Sequence, residues 1–269
     1  MFELTSVSNA RSLQGIKTSN GYIGNKLYRS ARLINISLED VCLLKDYNIK
    51  TVIDFRTSVE FNEAPDKIDS DFNYISLPVF KEETVGVTRD NKSNKDLITI
   101  LKENQRVGYA KEFMTKCYTD LIGEHCLSVY KKFFDYLLDS EGGVLWHCTA
   151  GKDRAGVATI YLLLALGVSK SDIINEYLLT NKLLEEENKM IIENVKQRHN
   201  EMIANELKDI FTCKTEYVNI VFDEIENNYK SINDFLLKAF DLDETKINKL
   251  KEKFIVKDYT SSFLIVISL

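Results

Sequence analysis

The chain reads as an α/β fold in which a central, mostly parallel sheet is flanked by helices. Three observations predict it. Short apolar runs at "KTVIDF" (50–55), "NYISLP" (73–78) and "GGVLWH" (142–147) have the length and enclosure of buried strands. Stretches of helical periodicity alternate with them, the order that builds a parallel sheet covered on both faces. The run "AGVATIYLLLALG" (155–167) is apolar nearly all round, and only the centre of a domain hides such a helix.

Taken in order, residues 1–35 predict a small β unit. "GIKTSNGYIGNKLYRSARL" carries turn chemistry at Asn20-Gly21 and Gly24-Asn25 between short apolar pieces. Ser37 with Asp40 three residues on opens a capped helix in "SLEDVCLLKDYN". The strands at 50–55 and 73–78 follow. Residues 81–96, "KEETVGVTRDNKSNKD", are polar and without period, so they read as an exposed insertion. From 97 to 139 apolar residues recur at helical spacing in "YAKEFMTKCYTDLI" and "LSVYKKFFDYLL", and these helices read as a lid. Beyond 180, "NKLLEEENKMIIENVKQRHNEMIANELKDIF" reads as a solvated amphipathic helix. Ser231 with Asp234 caps another helix. The sequence has no repeats and no linker rich in Gly, Pro or Ser, so one domain over 1–269 is the simplest account.

Composition narrows the function. Of 269 residues, 44% are hydrophobic and 28% charged, as in an ordinary globular protein long enough to bury a sizeable core. A net charge of -6 argues against a nucleic-acid binder. The longest apolar run, about 12 residues, is too short for an integral membrane span, which takes roughly 20. The five cysteines (42, 117, 126, 148, 213) have no paired spacing and argue against both a disulfide framework and zinc. With three histidines and no His-x-x-x-His, no metal and no cofactor is expected. "MFELTSVSNARSLQG" lacks the pattern of a signal peptide, and the expected location is cytoplasmic.

The chemistry concentrates in "VLWHCTAGKDRAG" (144–156). A strand turning sharply into a helix leaves the first helical N–H groups unpaired, and the helix dipole adds to their pull on an anion. Gly151 relaxes the turn so that the amides of Thr149, Ala150, Gly151 and Lys152 can converge. Arg154 adds a planar fork for two phosphate oxygens. Cys148 sits at the mouth of this cradle, in a field that favours thiolate as well as phosphate. The spacing Cys-x-x-x-x-x-Arg brings sulfur and guanidinium to one phosphorus, the arrangement for nucleophilic phosphoryl transfer. Of the five cysteines, only Cys148 has an arginine six residues on; the others meet Asn48, Gly123, Lys132 and Asn219. An ATPase phosphate loop is excluded, since it needs Gly where Trp146 stands and a hydroxyl where Asp153 stands.

"HCTAGKDRAG" resembles the signature of the cysteine-dependent protein tyrosine phosphatases. Within them it is similar to an atypical bacterial branch whose loop reads His-Cys-x-x-Gly-Lys-Asp-Arg and whose members dephosphorylate tyrosine, serine/threonine and phosphoinositides. "LYRSARL" (27–33), "VIDFRTSVEF" (52–61) and "EYLLTN" (176–181) resemble further blocks of that branch, and "NARSLQG" (9–15) is a loose copy of another. The resemblance implies a phosphatase fold and a phosphorylated protein or phosphoinositide substrate. It implies Cys148 as nucleophile, Arg154 as clamp and His147 as loop support. Asp153 is its first choice for general acid, with Asp54 the runner-up. Lys152 would grip a second phosphate or inositol hydroxyls, and Arg29 would line the pocket or lie at the surface. Arg56 and Glu60 are expected to pair with each other. Ala155 departs from the hydroxyl that many such enzymes carry there, which implies slower hydrolysis of the intermediate. A rhodanese-like sulfurtransferase and a silent phosphate-binding module are the competing readings.

Overall fold

The structure, a computed structural model, describes residues 2–81, 97–104 and 106–257. The expected insertion at 81–96 lies, beyond Lys81, outside the described residues. The chain opens with β1 (Arg11–Ser12), β2 (Lys17–Thr18), β3 (Gly21–Ile23), β4 (Leu27–Ser30), α1 (Leu38–Asp46), β5 (Ile49–Asp54), α2 (Ser58–Glu63) and β6 (Asn73–Ser76). Then come α3 (Leu97–Glu103), α4 (Tyr109–Leu121), α5 (Glu124–Asp139), β7 (Gly143–His147) and α6 (Arg154–Ala165). The rest is α7 (Lys170–Leu183), α8 (Glu185–Arg198), α9 (Glu201–Phe211), α10 (Thr215–Asn228), α11 (Ile232–Phe240), α12 (Glu244–Phe254) and β8 (Ile255–Val256).

The main sheet runs β1-β4-β7-β5-β6, parallel throughout except that β1 is antiparallel to β4. A second sheet, β2-β3-β8, is antiparallel. The expected β unit at 1–35 is therefore divided: its last strand, "LYRS", belongs to the main sheet beside β7. Alternation along the strands sorts side chains between two cores. Val144 and Trp146 of β7 and Ile53 of β5 enter the larger core with α5 and α6. Leu145, Val52 and Tyr28 face the smaller one, with Phe2, Val41 and Leu44. All twelve residues of α6 are buried, as its sequence requires.

The helices differ in part from expectation. α5 packs Cys126, Val129, Tyr130, Phe133, Phe134 and Leu137 into the larger core. The charged stretch after 180 is shared among the end of α7, α8 and α9, the last of which starts where the Asn200 side chain accepts from the Ile203 N–H at 2.9 Å. α8 keeps the solvated character its sequence predicts, whereas α9 buries Ile203, Leu207, Ile210 and Phe211.

A carboxylate outside the sheet ties down the N-terminal segment. Ser37 caps α1, but the Asp40 carboxylate does not reach back to it. It accepts from the N–H groups of Thr5 (3.1 Å) and Ser6 (2.7 Å) and from the Ser6 hydroxyl. That fixes the path of the chain toward Asn9. Asp40→Ala is expected to lower the unfolding free energy by about 2 kcal/mol, the scale of hydrogen bonds to a charged group. Urea unfolding monitored by circular dichroism measures it.

Candidate active site

β4, β5 and β7 end together at Ser30, Asp54 and His147, and the chain leaves β7 through residues 148–153 into α6. The carbonyls along this loop are held from outside. The Cys148 carbonyl faces His147 Nδ1 at 3.2 Å, and the Thr149 carbonyl accepts from the Arg32 N–H at 3.2 Å. Ala150 O accepts from Asn9 Nδ2 at 2.8 Å; Gly151 O accepts from Arg29 Nη2 at 2.6 Å, which also reaches Lys152 O at 3.4 Å. In a planar trans peptide the next N–H points opposite to the carbonyl. Carbonyls drawn outward therefore turn the amides of 149–153 inward. Gly151 has φ +67, and a Cβ there would stand 2.1 Å from Ser30 O, so no other residue fits.

Arg154 is oriented by Glu60. Its Nη1 and Nη2 donate to the two carboxylate oxygens at 2.6 and 2.8 Å. Glu60 also accepts from the Thr149 hydroxyl at 2.6 Å and closes a capping box with Thr57 at the start of α2. The expected Arg56–Glu60 pairing is replaced by this one, because Arg56 turns to Asp54 and Asp66 instead. Burial works against the charge on Glu60, but Arg154 and the bonds from Thr149 and Thr57 outweigh it and hold the carboxyl down at about 2.

Cys148, Ala150, Lys152, Asp153 and Arg154 line a cavity of about 20 Å³, together with Phe80, Cys117 and Phe211. That is room for about one water. Cys148 is only 3% exposed, so the sulfur is covered. The cover comes from α4, through Cys117, and from the end of α9, through Phe211, a helix the sequence does not mark as part of a lid.

Asp153 Oδ1 accepts from the Tyr118 hydroxyl at 2.9 Å and lies 3.0 Å from Lys152 Nζ. Lys152 is 2% exposed and also donates to Ile210 O at 2.8 Å, so it is no solvated lysine. Arg29 neither lines the cavity nor reaches the surface: it lies fully buried under the loop, bonded to Gly151 O and to Glu176 at 2.7 Å. Ala155 supplies no hydroxyl, and its carbonyl accepts from Trp146 Nε1 and the Thr159 hydroxyl.

Asp54 is engaged elsewhere. Arg56 Nε and Nη2 donate to its carboxylate, and the Tyr74 hydroxyl lies 2.6 Å away. Asp66 joins this cluster, 2.7 Å from Arg56 Nη2 and 3.1 Å from His147 Nε2. Burial opposes a charge on His147, but Asp54 and Asp66 outweigh it and raise its pKa. The two carboxylates thus meet the Arg56 guanidinium and the His147 ring. Asp54, Asp66 and His147 place ligand atoms within 4.8 Å of one another, but the Arg56 guanidinium already pairs with both carboxylates, which does not suit a metal ion.

Several of the site's residues are not evident from sequence alone. Glu60 is expected from the sequence only as a partner for Arg56, and nothing local ties it to Arg154. Asn9, Arg11 and Glu176 stand inside segments that carry the resemblance; Arg11 bonds Asn9, Thr180 and Glu176 (2.8 Å) and so braces the loop's support. Asp66 and Tyr118 carry no local signal.

These pairs fix a pH dependence. Glu60 and Asp66, both held at about 2, lend stability that is full above their unfolded values and lost as pH falls toward 2. His147 works in the opposite sense: its contribution is full below its ordinary 6.5 and lost as pH rises through its raised value. Glu60→Gln should remove on the order of 3 kcal/mol at neutral pH and flatten the acid limb of stability. Denaturant unfolding at a series of pH values checks both.

A profile of the tyrosine phosphatase family matches residues 2–256. A protein named as a tyrosine-protein phosphatase in Cupriavidus necator is 24% identical over 245 residues, covering 90% of this chain and 84% of its own. A tyrosine-protein phosphatase of Nostoc commune is 28% identical over 160 residues, 58% of this chain and 49% of its own. The triple specificity protein phosphatase PtpB of Mycobacterium tuberculosis is 23% identical over 253 residues, 84% of this chain and 89% of its own. With nearly its whole length matched and a Cys–Arg loop built as described, the chain belongs to the tyrosine phosphatase family and is a phosphoric ester hydrolase.

Proposed function

We propose that Cys148 attacks phosphorus while the inward amides of 149–153 and the Arg154 fork hold the phosphate oxygens. The observation that carries this is the bidentate Glu60–Arg154 pair beside Cys148 in one cavity. Donors fixed before the substrate arrives stabilise the transition state without reorganisation at the moment of reaction. Asp153 is the general acid of the first step and the base of the second, since it borders that cavity while Asp54 is tied into the Arg56 cluster. His147, between Asp54, Asp66 and the Cys148 carbonyl, supports the loop. The sulfurtransferase reading gives way to the family match.

The narrow cavity and the 3% exposure of Cys148 support a site whose lining, from Phe80, α4 and α9, moves aside for substrate. The substrate is a phosphotyrosine monoester. Lys152, held inside the cavity rather than in solvent, extends the reading to phosphoserine, phosphothreonine and phosphoinositides, and the mycobacterial relative is named for triple specificity. We read the described elements as one phosphatase domain, since the larger core runs from Leu13 to Phe254. No helix among the described residues is long and apolar enough to cross a membrane, and five free cysteines suit a reducing compartment such as the cytoplasm.

Cys148→Ser is expected to lower kcat by roughly 10⁴-fold or more, and persistence of activity overturns the nucleophile. Asp153→Asn should reduce kcat by about 10²-fold or more on phenyl phosphate, a poor leaving group, and far less on 2,4-dinitrophenyl phosphate. Asp54→Asn should affect both esters alike. A panel of phosphotyrosine peptides, phosphoserine peptides and phosphoinositides measures the breadth of substrate.

A further inference from the structure

We propose that Tyr118 is the positioning residue of the general acid: it pins Asp153 Oδ1, so that Oδ2 is the oxygen that carries the catalytic proton. The proposal rests on the reading of Asp153 as the acid. The Tyr118 hydroxyl donates to Oδ1 at 2.9 Å, and the Lys152 ammonium, which donates to Ile210 O, stands 3.0 Å from the same oxygen as an ion pair. A carboxyl has two oxygens that can exchange roles by rotation. With Oδ1 held from the protein side, Oδ2 is the one left for the substrate.

The hydroxyl is itself fixed in direction. Tyr118 and Tyr177 oxygens lie 2.6 Å apart, and each hydroxyl has one proton to give. If Tyr118 gives its proton to Asp153, Tyr177 must give its own to Tyr118, and the chain runs Tyr177 to Tyr118 to Asp153. Burial, then the nearby Asp153 and Tyr177, push the Tyr118 pKa well up, so it remains a donor. Its ring stacks on Tyr217 with centroids 5.4 Å apart and meets Tyr177 edge-on, which removes the freedom to swing. Tyr177 is the neighbour of Glu176, the residue that holds Arg29 under Gly151. One turn of α7 therefore braces the phosphate cradle and, through Tyr118, the acid. The plainer account is that a buried hydroxyl has merely found an acceptor.

In the first step the Cys148 thiolate forms the S–P bond, the P–O bond to the leaving group breaks, and the Oδ2 proton passes to the departing oxygen. A water then bonds phosphorus and gives a proton to Oδ2, while the S–P bond breaks and returns the thiolate.

The test compares the full chain with Tyr118→Phe and Asp153→Asn on phenyl phosphate and 2,4-dinitrophenyl phosphate. Tyr118→Phe should lower kcat on phenyl phosphate by about 10- to 100-fold, with less than about 3-fold loss on the dinitrophenyl ester and KM for both within about 2-fold. Equal losses on the two esters, or no loss on phenyl phosphate, overturn the proposal and leave Tyr118 a packing residue. Asp153→Asn separates the two layers: if it shows no leaving-group dependence, the acid assignment fails and this proposal with it. If it does while Tyr118→Phe does not, only this proposal fails. Should Tyr118→Phe not fold, Tyr177→Phe removes the donor behind Tyr118. A smaller loss on phenyl phosphate alone then supports the proposal, and an equal loss on both esters or none overturns it.

Discussion

The outward pull on the carbonyls of residues 148–152 is the constraint on which the rest of this site depends. Left alone, a glycine-containing turn would sample many conformations, including ones with carbonyl oxygens facing an incoming phosphate. Here Asn9, Arg29, Arg32 and His147 each supply a donor on the outer side. The donors come from the N-terminal segment, β4, the turn after it and the end of β7. The loop's shape is therefore a tertiary property, and the close packing of Gly151 on Ser30 leaves little slack in it.

Charge around the loop is arranged in nearly neutral groups. Arg154 meets Glu60; Arg56 and His147 meet Asp54 and Asp66; Arg11 and Arg29 share Glu176. In the last group the cations outnumber the anion, and burial together with Arg29 pulls Arg11 down to about 10. Buried pairs like these contribute little net stability, because desolvation offsets most of the attraction. They do fix geometry: a guanidinium that strays from its carboxylate leaves a bare charge in the interior. That penalty keeps the Arg154 fork aimed and the loop closed on its supports, at the cost of sensitivity to acid.

How much of this is legible in the sequence depends on range. The strands, α6 and the loop are legible because periodicity, length and turn chemistry are local. Cys148 and Arg154 are legible because their partners sit within seven positions. The pairing of Glu60 with Arg154 is not, since the two are 94 residues apart and Arg56 offers a nearer cation. Arg29 illustrates the same limit: its residue type suits a phosphate as well as a carbonyl, and only the register of β4 on β7 shows which one it meets. The cover over the site draws on α9 as well as α4, and an amphipathic helix does not announce which surface it will lie on.

A crystal structure of Cys148→Ser soaked with tungstate, a tetrahedral oxyanion of phosphate's shape, tests the central claim most directly. The account predicts the anion directly over residue 148, its oxygens on the amides of the loop and on the Arg154 guanidinium, with Glu60 still paired to that guanidinium and the carbonyls of 148–152 still on their outer donors. Tungstate bound away from the loop, or a loop whose carbonyls turn inward toward it, would contradict the account.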